Sequence, residues 1–168
     1  MRKIIAGLTA MTAVLAVHVG AAAPASAAAA VGHLYGPGYQ MCATPKGNST
    51  ANGTIVTTWT CTGSYLQEWR WENNRIIHNA SGKCLTPSGD NYATNGAVLT
   101  LWTCNPYAES QMFREYWRDM GEPRAKAYYS DKCITNKGDN LGNGAYLTLW
   151  TCRDSKTPSQ EWWYLADA

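Results

Sequence analysis

One cysteine-framed pattern occurs three times and fills nearly all of this 168-residue chain. The copies read Cys42-Ala43-Thr44 … Trp59-Thr60-Cys61 … Gln67-Glu68-Trp69, then Cys84-Leu85-Thr86 … Trp102-Thr103-Cys104 … Gln111-Met112-Phe113, and Cys133-Ile134-Thr135 … Trp150-Thr151-Cys152 … Gln160-Glu161-Trp162. Repetition on this scale decides the architecture before any single residue is interpreted. It also means that a surface site is expected once per copy.

The chain opens with Arg2 and Lys3, an apolar run from Ile4 to Val19 and the small residues Ala25-Ser26-Ala27. This order of charge, apolar stretch and small-residue cleavage site reads as a secretory signal over 1–27. It leaves 28–38 as a mature N-terminal leader and 39–168 as one domain, its repeats spanning about 39–77, 78–125 and 126–168. No later segment is apolar enough to span a bilayer, so the expectation is a secreted, extracellular protein with no membrane insertion. The signal holds two of the 14 basic residues and none of the 12 acidic ones, so the mature charges balance. A neutral surface argues against nucleic acid or anionic membrane as the main partner, since both require a basic one.

All six cysteines lie beyond the signal, and an even set in a secreted chain reads as disulfides. Six cysteines allow 15 pairings. The repeat selects Cys42–Cys61, Cys84–Cys104 and Cys133–Cys152, separated by 19, 20 and 19 residues. Each closes a loop worth about 3 kcal/mol in the chain-entropy view. Zinc fits poorly, because there are no paired CxxC knuckles and His33 and His78 do not recur. No metal and no cofactor are expected.

Within each copy the periodicity is that of strands. Ile55–Trp59, Val98–Trp102 and Tyr146–Trp150 are short β-branched or aromatic runs, each after an Asn-Gly pair (Asn52-Gly53, Asn95-Gly96, Asn143-Gly144) able to turn the chain back. Further strands are expected at 40–44, 68–72, 75–79, 83–86, 113–117, 127–129, 132–135 and 161–165. Alternation puts Val56, Leu99 and Leu147 on a core face with Thr58, Leu101 and Leu149. It puts Thr57, Thr100 and Thr148 on the other face with Trp59, Trp102 and Trp150. Trp69, Phe113 and Trp162 are expected to meet in a central core, with Gln67, Gln111 and Gln160 available to buried backbone groups.

Three repeats of about 45 residues, each with a cysteine pair some 19 apart and a Gln-x-Trp, resemble the ricin B-chain type lectins, also classed as family thirteen carbohydrate-binding modules. Asn79-Ala80-Ser81-Gly82-Lys83-Cys84-Leu85 looks like the family's repeat opening. The resemblance covers roughly Tyr39 to Leu165. It implies an all-β fold, a β-trefoil of three pseudo-symmetric repeats and twelve short strands, with one disulfide per repeat. The last repeat ends soon after Tyr164 and reads as short of its final strand, which His33–Tyr35 could supply.

The resemblance also implies where sugar would bind: a stacking aromatic at Trp59, Trp102 and Trp150. The family's polar contacts do not carry over. Its Asp positions hold Thr44, Thr86 and Thr135, its Gln positions Thr57, Thr100 and Thr148, and its Asn positions Leu66, Ser110 and Ser159. A carboxylate accepts two hydroxyls in charge-assisted bonds, whereas a threonine hydroxyl makes one neutral bond of about 1 kcal/mol. Two readings stand. Either each tryptophan flanked by two threonine hydroxyls is a remodelled pocket for a different glycan face, or the threonines suit exposed strands and each tryptophan packs on its disulfide.

Catalysis finds little support. GxSxG, HExxH and a phosphate-cradling glycine loop are absent from the sequence. Glu68 and Glu161, the middle residues of Gln-x-Trp, are expected to point outward, away from any paired-carboxylate arrangement. Asp90 and Asp139-Asn140 read as turn formers, with a sugar or Ca²⁺ contact as the other option. Arg114, Arg118 and Arg124 among Glu115, Asp119 and Glu122 read as a solvated loop of mixed sign. The function that follows is a non-enzymatic carbohydrate-binding protein for glycan or polysaccharide. A protein-binding adaptor or delivery subunit of a secreted toxin or enzyme complex, docking through the leader, is the alternative.

Overall fold

The computed structural model describes residues 29–117 and 123–167. The expected signal over 1–27 lies outside the described residues, as do Arg118, Asp119 and Glu122. Twelve strands appear in chain order: β1 Val31–Tyr35, β2 Met41–Pro45, β3 Val56–Thr60, β4 Glu68–Glu72, β5 Arg75–His78, β6 Lys83–Pro87, β7 Leu99–Trp102, β8 Phe113–Trp117, β9 Pro123–Ala127, β10 Lys132–Asn136, β11 Leu147–Thr151 and β12 Trp163–Ala166. The only helical segments among the described residues are three-residue 3-10 turns. The fold is an all-β trefoil whose lobes are β1–β4, β5–β8 and β9–β12.

Eight strands form one sheet in the order β3-β2-β1-β4-β5-β6-β7, with β12 joining β1, and four form a second in the order β11-β10-β9-β8. Each lobe carries an antiparallel pair closed by its disulfide: β2–β3 with Cys42–Cys61, β6–β7 with Cys84–Cys104, β10–β11 with Cys133–Cys152. Single bridges Ile55–Thr100, Thr57–Tyr146 and Val98–Thr148 tie β3, β7 and β11 together around the pseudo-threefold axis.

The core follows from the alternation. Val56, Leu99, Leu101, Leu147 and Leu149 are fully buried, as are Trp69, Phe113 and Trp162, and Thr58 is buried beside them. Each full leucine burial contributes about 2–3 kcal/mol. Trp69 Nε1 donates to the Ala43 carbonyl and Trp162 Nε1 to Asn136 Oδ1, so neither indole N–H is left unpaired.

Three expectations need correction. The fold begins inside the stretch read as a leader: β1 pairs with β12 from Gly32–Ala166 to Tyr35–Trp163, and with β4. A side chain at Gly32 would strike the Leu165 carbonyl, so glycine allows this closure. The segment proposed to dock in a partner therefore closes the chain's own barrel. The strand expected at 127–129 lies at Pro123–Ala127 and forms a hairpin with β8 instead of a loop. The last repeat, read as lacking its final strand, has one in β12, and β1 pairs with it rather than replacing it. The Asn-Gly pairs do turn the chain as expected, each at the centre of a β-turn between paired strands (Thr54 N–H to the Ala51 carbonyl, Ala97 to Thr94, Ala145 to Gly142), and they also reach into the next lobe, as described below.

Candidate functional site

Trp59, Trp102 and Trp150 stand near the outer ends of β3, β7 and β11, with relative exposures of 45, 49 and 42%. Each is supported from the neighbouring lobe. Asn143 Oδ1 accepts the Thr60 N–H at 2.8 Å, Asn52 Oδ1 the Thr103 N–H at 3.1 Å, and Asn95 Oδ1 the Thr151 N–H at 2.8 Å. The glycine after each asparagine has φ near +82 to +84° and lies against the indole: a Cβ on Gly53 would sit 3.5 Å from Trp102, on Gly96 3.5 Å from Trp150, and on Gly144 3.8 Å from Trp59. A positive φ admits glycine without strain. Each aromatic platform is thus built across a lobe boundary.

The threonines behind the platforms are buried, not exposed. Thr44, Thr86 and Thr135 donate to the carbonyls of Cys42, Cys84 and Cys133 at 2.9–3.1 Å. Thr57, Thr100 and Thr148 donate at 3.0 Å to the carbonyls of Thr44, Thr86 and Thr135. Each hydroxyl proton is therefore spent inside the protein, and what the six offer a ligand is acceptor capacity. The glutamines bond the first three. Gln67 Nε2 donates to Thr44 Oγ1 and the Thr60 carbonyl, while its Oε1 accepts the Thr62 N–H. Gln111 does the same with Thr86, Thr103 and Asn105, and Gln160 with Thr135, Thr151 and Arg153. Each glutamine joins a strand end to the loop after the second cysteine, and so fixes one wall of a cleft.

The opposite wall is a turn: Lys46-Gly47-Asn48, Ser88-Gly89-Asp90 or Lys137-Gly138-Asp139, with both last residues in the left-handed region. The clefts over Trp59, Trp102 and Trp150 measure about 420, 510 and 130 Å³. They differ in charge. In lobe 2 the Ser110 hydroxyl donates to Asp90 Oδ1 at 2.6 Å. In lobe 3 Ser159 donates to Asp139 Oδ1 at 2.6 Å, and Arg153 Nη1 lies 2.9 Å from both carboxylate oxygens. The Ser159 hydrogen bond, followed by Arg153, holds the Asp139 carboxyl below the usual aspartate range. Lobe 1 has no carboxylate there, only Asn48 and Leu66. Its Lys46 turns to the Tyr146 hydroxyl at 2.8 Å, and that bond draws the phenol below its ordinary range.

Two arginines hold the loops behind the clefts. Arg75 donates to the carbonyls of Asn105 and Pro106, and Arg124 to those of Arg153 and Ser155 and to Gln160 Oε1. Arg124 is fully buried, which overturns its assignment to a solvated loop. Arg75 lies nine residues before Cys84 and Arg124 nine before Cys133, an offset visible in the sequence. Glu161, expected to point outward, is also buried, whereas Glu68 is half-buried and accepts from Asn79.

Residues 30–113 and 77–168 match the ricin-type beta-trefoil lectin domain. The chain matches no curated protein sequence. Among solved structures it is similar to the designed threefold-symmetric protein ThreeFoil, with a TM-score of 0.71 and 18% identity over 82% of this chain and 99% of that one. The agglutinin of Rhizoctonia solani gives 0.68 and 16%, covering 86% of this chain and all of its own. An exo-β-1,3-galactanase of Clostridium thermocellum gives 0.71 and 18% over 82% of this chain, which spans only 30% of that enzyme. At such identities the structural likeness is one of fold.

Proposed function

Because the chain belongs to the ricin-type β-trefoil lectin family, we propose that it is a secreted carbohydrate-binding protein that works without catalysis and holds a glycan or polysaccharide against its indole-floored clefts. The observation that carries this reading is the set of three half-exposed tryptophans, each beside a cleft and each braced from the adjoining lobe. The C–H face of a pyranose ring suits an aromatic platform, and polar groups around the rim fix its orientation. Secretion is supported by the basic-then-apolar start of the chain and by three disulfides with no free cysteine among the described residues. No helix among the described residues is long and apolar enough to cross a membrane.

A shallow site of this kind binds at roughly millimolar strength, about −4 kcal/mol. Sites on one rigid body gain avidity when a polymer spans them, so an extended polysaccharide suits the arrangement better than a free monosaccharide. The test is retention on insoluble cellulose, xylan, chitin and galactan, followed by replacement of Trp59, Trp102 and Trp150 by alanine together. The parent is expected to be held by one of these matrices and the triple variant to flow through with unchanged circular dichroism. Equal retention of the two proteins sinks the proposal.

A further inference from the structure

We propose that the three clefts are not equivalent: lobe 2 holds a carboxylate-anchored site in which Asp90 accepts the hydroxyls of a neutral sugar resting on Trp102, and lobe 3 holds the same anchor locked by Arg153. This rests on the reading that the exposed indoles bind sugar, and it names the sugar class and the residue that selects it.

Asp90 lies four residues beyond Thr86, the position where the resemblance would place a carboxylate, and it lines the same cleft as Trp102. The turn that carries it explains how it gets there. Gly89 and Asp90 both take φ between +58 and +66°, which folds the chain back over the cleft and sets an exposed carboxylate at its rim. An ionised carboxylate has about four acceptor positions. The Ser110 hydroxyl occupies one of them, on Oδ1 at 2.6 Å, and orients the group. The remaining acceptor positions suit a pair of adjacent sugar hydroxyls in charge-assisted bonds. Asn105 and Gln111, both neutral, complete that wall, and the cleft is the roomiest of the three at about 510 Å³. An acidic sugar would meet repulsion there, so the ligand is a neutral pyranose with adjacent hydroxyls beside an apolar C–H face.

Lobe 3 repeats the anchor: Asp139 with Ser159 at the same 2.6 Å, beside Trp150. Where lobe 2 has Asn105 after its second cysteine, lobe 3 has Arg153, whose guanidinium meets both Asp139 oxygens. The arginine occupies the acceptor positions that sugar hydroxyls would use, and its ion pair divides the space, leaving about 130 Å³ over Trp150 and about 370 Å³ on the far side against Ser155 and Thr157. Lobe 1 has Asn48 in the turn and Leu66 in place of the serine, so it offers an indole without a charged acceptor.

The substitutions that test this are mild. Asp90→Asn places in lobe 2 the residue that lobe 1 already carries at the same point, at φ +57° in Asn48 against +58° in Asp90. Arg153→Asn places in lobe 3 the residue of lobe 2 and keeps the backbone bonds that Arg153 makes to Gln160 and Arg124. Indole Nε1–H resonances of the full secreted chain report each cleft separately during titration with the methyl glycosides of galactose, glucose, mannose and xylose. The Trp102 resonance is expected to saturate at the lowest sugar concentration. Asp90→Asn should raise that concentration about tenfold, as loss of a charged acceptor does, and leave the other two indoles unaffected. Arg153→Asn should bring the Trp150 resonance into the titration. A Trp102 curve unmoved by Asp90→Asn, or a Trp150 resonance still silent in Arg153→Asn, overturns this inference while sugar binding stands. Silence of all three indoles with every sugar and every matrix overturns the proposed function itself.

Discussion

Two sets of large aromatics occupy this molecule in triplicate, and they divide its labour. Trp69, Phe113 and Trp162 are fully buried, whereas Trp59, Trp102 and Trp150 keep nearly half of their surface. Each pair comes from one repeat and lies ten to twelve residues apart in sequence. What separates them is the face of the strand and the neighbour on that face. The inner set follows a glutamine on strands directed at the pseudo-threefold axis, and its indole N–H groups find acceptors. The outer set ends strands that run to the rim and leans on a turn from another lobe. The inner aromatics therefore supply stability and the outer ones supply surface.

The sharpest way to break that comparison is to exchange the consequences. Trp162→Ala removes a fully buried indole and orphans Asn136 Oδ1, and should cost about 3–5 kcal/mol. Trp102→Ala removes a half-exposed one and should stay within about 1 kcal/mol, while weakening sugar retention. Urea unfolding of both variants measures the difference. A Trp102→Ala variant as unstable as Trp162→Ala would make the outer set structural.

A smaller effect tests the link between the sets. Gln111 sits two residues before Phe113 yet holds the wall of the Trp102 cleft through Thr86, Thr103 and Asn105. Gln111→Leu keeps the volume and leaves the Thr103 carbonyl and the Asn105 N–H without their partner. The expected loss is about 1–3 kcal/mol, accompanied by faster hydrogen exchange at the Asn105 amide. Protection of that amide unchanged from the parent would mean that the loop is held by other groups.

The repeat made the lobes, the cysteine pairing and the inner aromatics legible, because threefold recurrence filters out chance. Four things escaped it for physical reasons. Strand alternation tells which face a residue takes but not whether another side chain covers that face, so it left open whether the six threonines suit exposed strands; all six are buried, and glutamines bond three of them. An Asn-Gly pair that turns its own chain has the same local chemistry whether or not it also braces a neighbour, so the lobe-crossing contacts were invisible. Arg124 sits in a run of mixed charge that reads as solvated, although its offset from Cys133 matches that of Arg75 from Cys84. The unequal rims of the clefts escaped as well, since the turn carboxylates Asp90 and Asp139 also satisfy a purely conformational reading.

The smallest expected effect comes from the one imidazole that joins an inner aromatic to an outer cleft. His78 is buried, with its ring 5.1 Å from Trp69, and its Nε2 lies 3.0 Å from the carbonyl of Leu66, a residue lining the Trp59 cleft. A carbonyl only accepts, so Nε2 carries the proton, and Nδ1 accepts from the Ser81 hydroxyl at 2.9 Å. Burial is the main cause that lowers its pKa below the ordinary 6.5, partly offset by the Leu66 hydrogen bond. In the unfolded chain this imidazole takes up a proton as pH falls through 6.5, while in the folded protein it stays neutral to lower pH. Stability contributed by His78 is therefore complete above pH 6.5 and declines below it, by at most about 1.4 kcal/mol per pH unit, until the folded form also protonates. In a His33→Gln background, urea midpoints between pH 7.5 and 5.5 should fall while the ¹⁵N shifts of His78 keep the Nε2–H neutral pattern. A folded-state imidazole that titrates at 6.5 or above would show that Trp69 and the Trp59 cleft are not coupled through a buried neutral ring.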